Sequence, residues 1–347
     1  MRTNVLRPVY AVIGVCIAVS LILVGLNAIP VKAEEVFKAT WKLHSPYPLT
    51  KEDHMRGSLV EFAKLVGDRT NGRLKIEPAL GGVLGFKAID ALPVLKKGLV
   101  EIQEITCGYI EGTEPLTSVI ILPFLLKDFD EALWYLNIFQ PYLARIYDKW
   151  GGKLLYTEFW PPQHFYTKKP INSLEDFKGL KARSNGPVYS LAHKAIGMTP
   201  VSVPWSEIPT ALERGMIDVM TSSALSTAQA ASWDYMDYTI KTDYCLAWSD
   251  VVVSKKAWNQ LPDDIKLVVI ETAFQMQRKA TNGAKASDDE CIALLEKNGM
   301  KTMTLSPDVK SEAAGKCKPI WDKVAKRAGP EGVELLDKFL ALVGRSR

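Results

Sequence analysis

What this 347-residue sequence has least of is the raw material of common catalytic and metal sites. Its four histidines, His44, His54, His164 and His193, are too scattered for an H-E-x-x-H zinc pair, and neither a G-x-S-x-G elbow nor a G-x-G-x-x-G loop occurs. An exported hydrolase or lyase using one of those histidines as a base is a rival reading with no motif behind it. The glycine-rich Gly81-Gly82-Val83-Leu84-Gly85 lacks the Gly-Lys-Ser/Thr ending of a phosphate loop. It reads instead as a turn that lets backbone approach a cleft. No cofactor and no metal are expected.

Cysteine is scarce too. Beyond Cys16, the chain has Cys107, Cys245, Cys291 and Cys317, with no C-x-x-C and no Cys-His metal spacing. Three full pairings are open to four cysteines, and so are unpaired buried thiols, which is the expectation here. An excess of one charge is also missing. The formal net charge is +4, and removal of residues 1–33 leaves 40 Lys plus Arg against 39 Asp plus Glu. A chain so nearly neutral lacks the basic stripe of a nucleic-acid binder.

The first residues carry the strongest local signal. Arg2 and Arg7 precede an apolar run from Val9 to Leu26 without a charge, followed by Pro30 and Val31-Lys32-Ala33. That order is n-region, h-region and small-residue cleavage site, so residues 1–33 are expected to be a signal peptide and the mature protein periplasmic. A retained membrane anchor is the alternative, since the run approaches the roughly 20 residues a bilayer span needs.

The rest alternates strands and helices, the pattern of α/β layers over mainly parallel sheets. Phe37 to Leu43 reads as a strand, Met55, Leu59, Phe62, Ala63 and Val66 recur at helical spacing, and Asn71-Gly72 ends that helix. Further strands are expected at Leu74 to Ile76, Lys153 to Trp160, Lys181 to Ser184 and Ile217 to Thr221. Pro161-Pro162 reads as a crossing between domains. Leu261-Pro262-Asp263-Asp264 opens a helix running to Asn298, about 50 Å if straight and long enough to back two domains. Three shorter helical pieces are expected around Val309, Trp321 and Leu335.

Between Pro170 and Asp218 the sequence resembles a known family. The segments are Pro170-Ile171-Asn172-Ser173-Leu174-Glu175-Asp176-Phe177-Lys178-Gly179-Leu180-Lys181-Ala182-Arg183, then Gly197 to Ile208, then Thr210-Ala211-Leu212-Glu213-Arg214-Gly215-Met216-Ile217-Asp218. With Asn71-Gly72-Arg73-Leu74, Gly81-Gly82-Val83-Leu84-Gly85, Leu122-Pro123-Phe124-Leu125 and Val253 to Trp258, they are similar in order and spacing to the DctP-type solute-binding proteins of tripartite ATP-independent periplasmic (TRAP) transporters. The resemblance implies an α/β type II periplasmic-binding-protein fold: two α/β lobes around a ligand cleft, with a long helix spanning both. It places lobe I at 35–160 plus 249–288 and lobe II at 161–248 plus 289–347. It also implies a small organic carboxylate as ligand, TRAP membrane subunits as partners, uptake driven by an ion gradient, and no chemistry on the solute. A monomer is expected, with a dimer as the alternative. A periplasmic sensor reporting to a membrane receptor would use the same lobes.

By the same resemblance Arg183 holds the solute carboxylate, a role suited to a planar guanidinium with two parallel donors. Relatives place an Asn where this chain has Ser222, beside Thr221. Some acid-sugar binders carry a second arginine where Gln163 and His164 stand here, which speaks against a sialic-acid-like solute. Among the aromatics, Trp41, Tyr47, Phe86, Tyr109, Trp160, Trp205 and Trp248 lie near strand ends or cleft-facing loops. Trp160, Trp205 and Trp248 rank first, and one arginine with aromatic walls points to a monocarboxylate with an apolar or aromatic body.

Overall fold

The computed structural model describes residues 37–51 and 53–347, so the expected signal peptide and its cleavage site lie outside the described residues. Two mixed sheets organise the chain. The first has the order β2 (Leu74–Ala79), β1 (Ala39–His44), β3 (Ile102–Thr106), β10 (Trp248–Ser254), β4 (Gly152–Phe159). The second runs β11 (Lys301–Thr304), β9 (Tyr238–Lys241), β5 (Gln163–Thr167), β8 (Val219–Ser223), β6 (Lys181–Ser184), β7 (Thr199–Ser202).

The expectation of mainly parallel sheets is corrected here. β10 runs antiparallel to β3 and β4, and β5 runs antiparallel to β8 and β9. The cause is the connection: β4 passes straight through Pro161-Pro162 into β5 of the other sheet, and the chain returns from β9 to β10 through residues 242–247. A strand that arrives by such a direct crossing need not obey the parallel geometry that a helical crossover imposes.

Helices cover both sheets: α1 (His54–Arg69), α2 (Ala91–Lys97), α3 (Phe129–Lys149), α4 (Pro187–Ile196), α5 (Ile208–Glu213), α6 (Ala224–Gln229), α7 (Asp263–Lys297), α8 (Pro307–Arg327) and α9 (Pro330–Leu342). Local chemistry sets their ends. Asp53 caps α1 by accepting from the Met55 and Arg56 amides at 3.1 and 3.0 Å, satisfying donors the helix leaves open. Beyond it Asn71 and Gly72 turn the chain at φ 52° and 72°. The spaced residues Met55, Leu59, Phe62, Ala63 and Val66 are its buried face.

The 35-residue α7 starts where Asp263 and Asp264 meet the positive helix end. It packs on α1 and β4 of the first lobe and on α6 and β11 of the second. Gly283 permits the close approach to α1, since a Cβ there would sit 2.8 Å from His54 Cβ. At the C-terminus two helices replace the three expected pieces, with Val309 and Trp321 together on α8. Pro319 lies inside that helix, and Trp321 is tied to the rest of the fold through Nε1 donating to the Pro123 carbonyl at 2.8 Å. Packing here outweighs the hydrogen bond that proline removes.

Candidate ligand-binding cleft

The two sheets deliver strand ends to one cleft, the usual place for a ligand in open α/β sheets. From the first lobe come Tyr47 after β1, Thr106 at the end of β3, Tyr109 just beyond it, and Trp160 after β4. The second lobe supplies Gln163, Arg183, Asn185, Trp205, Ser222 and Ser226. They enclose an inner chamber of about 40 Å³, room for roughly three water molecules. Tyr47, Tyr109, Asn185 and Trp205 also border an outer chamber of about 440 Å³, whose walls include Gly81, Gly82, Gly85, Phe86 and Ile89. The glycine-rich loop therefore does bring backbone to the cleft, with Gly81, Gly82 and Gly85 at φ 72°, 68° and 79°.

Arg183 is the cation of the chamber and only 3% exposed. Its Nε donates to the Val203 carbonyl at 3.2 Å and Nη2 donates across the cleft to Tyr109 Oη at 3.3 Å. No carboxylate pairs with it among the described residues, and Nη1 has no protein acceptor there. A desolvated guanidinium with donors to spare is a site prepared for an anion.

A chain of hydroxyls backs the opposite wall. Trp160 Nε1 donates to Ser249 Oγ at 3.0 Å, Ser249 Oγ lies 2.8 Å from Thr106 Oγ1, and Thr106 Oγ1 lies 2.9 Å from Tyr47 Oη. Burial pushes the Tyr47 phenol pKa well above its ordinary value, so that hydroxyl keeps its proton. Behind this wall Arg56 sits 5.0 Å from the Tyr47 ring centroid and 4.6 Å from that of Trp160, paired with Asp53 at 2.7 Å and Glu104 at 3.2 Å. A cation with two carboxylates at its back stiffens both rings.

Of the residues singled out by sequence, Tyr47, Tyr109, Trp160, Gln163, Arg183, Trp205 and Ser222 converge on the inner chamber, and Phe86 lines the outer one. Three others are corrected by the structure. Trp248 is fully buried and packs at 5.7, 5.9 and 6.2 Å from Phe159, Phe139 and Tyr135, because alternation along β10 turns Ser249 rather than Trp248 toward Trp160 and Thr106. Thr221 points away from the chamber and meets His193 Nε2 at 2.8 Å, the opposite side of β8 from Ser222. His164 is committed elsewhere: Nδ1 accepts from the Thr242 and Asp243 amides, both at 3.3 Å, so Nε2 carries the proton toward Asp288 Oδ2 at 3.2 Å. Trp41 borders a separate surface pocket near Gly98.

Thr106, Asn185, Tyr189 and Ser226 were missed. Asn185 stands two residues after Arg183 and Ser226 four after Ser222, spacings that could have exposed both. Nothing local marks Thr106 or Tyr189. The cysteine expectation is met for Cys107, Cys245 and Cys317, which are buried free thiols, and Cys291 is also buried.

A fold of two lobes with a charged chamber between them defines a solute receptor. The chain belongs to the family DctP, bacterial extracellular solute-binding protein, family 7, whose model matches residues 47–328. It is similar to the crystal structure of DctP7, a Bordetella pertussis extracytoplasmic solute receptor binding pyroglutamic acid, at 28% identity and TM-score 0.82, covering 87% of this chain and 99% of that one. DctP6 of the same organism, also binding pyroglutamic acid, is similar at 26% identity and TM-score 0.81, with 87% and 99% covered. A solute-binding protein of Albidiferax ferrireducens is 26% identical over 273 residues, 74% of this chain and 77% of that protein. The protein is thus an extracytoplasmic receptor of the TRAP type, and not an enzyme.

Proposed function

We propose that this receptor captures a small monocarboxylate with a compact, partly apolar body and delivers it to a TRAP membrane permease for ion-gradient-driven uptake. The observation that carries the reading is Arg183, buried, without a carboxylate partner among the described residues, and holding donors toward a chamber walled by Tyr47, Trp160 and Trp205. Pyroglutamate, a five-membered lactam carboxylate bound by the two similar Bordetella receptors, carries the single negative charge that Arg183 is placed to take.

In this reading lobe I is 35–160 plus 249–288 and lobe II is 161–248 plus 289–347, with Arg183, Gln163, Ser222 and Trp205 on one side of the ligand and Tyr47, Tyr109 and Trp160 on the other. Residues 1–33 direct export and are removed. The open form admits solute, and ligand bridging the walls shifts the population to the closed form. The test is mass spectrometry of ligand retained through gentle purification, followed by calorimetry with L-pyroglutamate, D-glucuronate and orotate. Tight, stoichiometric binding of pyroglutamate supports the reading, and binding confined to uronates or to neutral sugars refutes it.

A further inference from the structure

Two phenols of the chamber, Tyr47 and Tyr109, sit at the ends of hydrogen-bond paths that begin on obligate donors. An indole N–H can only donate, so Ser249 Oγ must accept from Trp160 and has its own proton left to place. Ser249 is fully buried, and the one acceptor it meets among the described residues is Thr106 Oγ1. Ser249 therefore donates to Thr106 Oγ1, which keeps a second lone pair. Of the Thr106 and Tyr47 protons, one bridges the pair at 2.9 Å while the other is left over for the chamber that both residues border. A guanidinium likewise only donates, so Tyr109 Oη accepts from Arg183 Nη2 and its proton too is free, with no acceptor among the described residues.

Building on the carboxylate reading of the site, we propose that Tyr47 and Tyr109 are donors to the ligand carboxylate, so that one anionic group is held by Arg183 of the second lobe and by two phenols of the first. The carboxylate, rather than the apolar body, is then what draws the lobes together. A neutral analogue fills the chamber without closing the cleft.

The test compares wild type with Tyr47→Phe, Tyr109→Phe and the double variant by calorimetry, using L-pyroglutamate and its neutral primary amide as probes. Phenylalanine keeps the Tyr47 ring against Trp160, 5.1 Å between centroids, and Tyr109 is half-buried, so thermal melts should show folded variants. Each variant is expected to bind pyroglutamate roughly 10- to 100-fold more weakly, the loss of a hydrogen bond to a charged group, while the weak binding of the amide changes less than about threefold. Small-angle scattering should show compaction of the wild type with pyroglutamate and none with the amide. Pyroglutamate affinity kept within about threefold in both single variants overturns the phenol donors and leaves the arginine reading standing. A wild-type protein that binds acid and amide equally, or neither, overturns the carboxylate reading and this inference with it.

Discussion

Replacing Arg183 by methionine separates what the guanidinium does for the ligand from what it does for the fold. In the structure it is 3% exposed, tied to the Val203 carbonyl and to Tyr109 Oη, and faces no carboxylate among the described residues. Truncating one partner of a buried, hydrogen-bonded charge pair costs about 2–5 kcal/mol, so pyroglutamate should bind roughly 30-fold to several thousandfold more weakly. The ligand-free protein should respond in the opposite sense. A desolvated cation without a counter-ion is a burden on folding, and an apolar side chain of similar length removes it. Melting of the unliganded variant is therefore expected at the wild-type temperature or up to about 5 °C above it, while the ligand-induced rise disappears. A third readout comes from His193, whose pKa is lowered to about 3 by burial first and the Arg183 charge second. In Arg183→Met it should move upward, visible by NMR of the imidazole. Affinity within about threefold of wild type, or a melting temperature that drops steeply with binding intact, would refute the assignment and make Arg183 a structural residue.

Ser222→Ala should weaken pyroglutamate binding roughly two- to tenfold by calorimetry, the value of one neutral hydrogen bond, without changing the melting temperature. Gly186→Ala should destabilise the fold by about 1–3 kcal/mol in denaturant titrations, because a Cβ there would fall on Glu111 Oε1, and Glu111→Ala in the same chain should restore most of the loss. Burial raises the Glu111 carboxyl to about 7 against an ordinary 4.5, so the native state holds its proton more tightly than the unfolded chain. Stability contributed by that proton is complete below pH 4.5 and lost as pH rises through 7, by about 3 kcal/mol, and Glu111→Gln should flatten this slope in pH-dependent melts. His193 acts in the reverse sense, its stability present above pH 6.5 and lost as pH falls toward 3, so His193→Gln should blunt acid unfolding. Cys245 and Cys317, their thiols pushed up to about 12 by burial, should react with thiol reagents only when denaturant opens the fold.

The residues decide locally what depends on neighbours in the chain. Asp53, Asn71-Gly72 and Pro262-Asp263-Asp264 bound their helices because caps, left-handed turns and helix-end charges act over one turn. The apolar spacing of α1 and the Arg183 segment were legible for the same reason. Only the folded chain decides which of two adjacent side chains faces the cleft. Ser222 does and Thr221 does not, and on β10 the Ser249 hydroxyl reaches the cleft residues Trp160 and Thr106 while Trp248 turns into the core, because a one-residue change of phase on a strand reverses the face, and register is set by partners far away. His164 shows this most plainly. Its imidazole is consumed by Asp288, 124 residues later, a pairing no local pattern encodes. The hydroxyl path from Trp160 through Ser249 and Thr106 to Tyr47 joins four separate strand ends, and it exists only once those ends have been packed together.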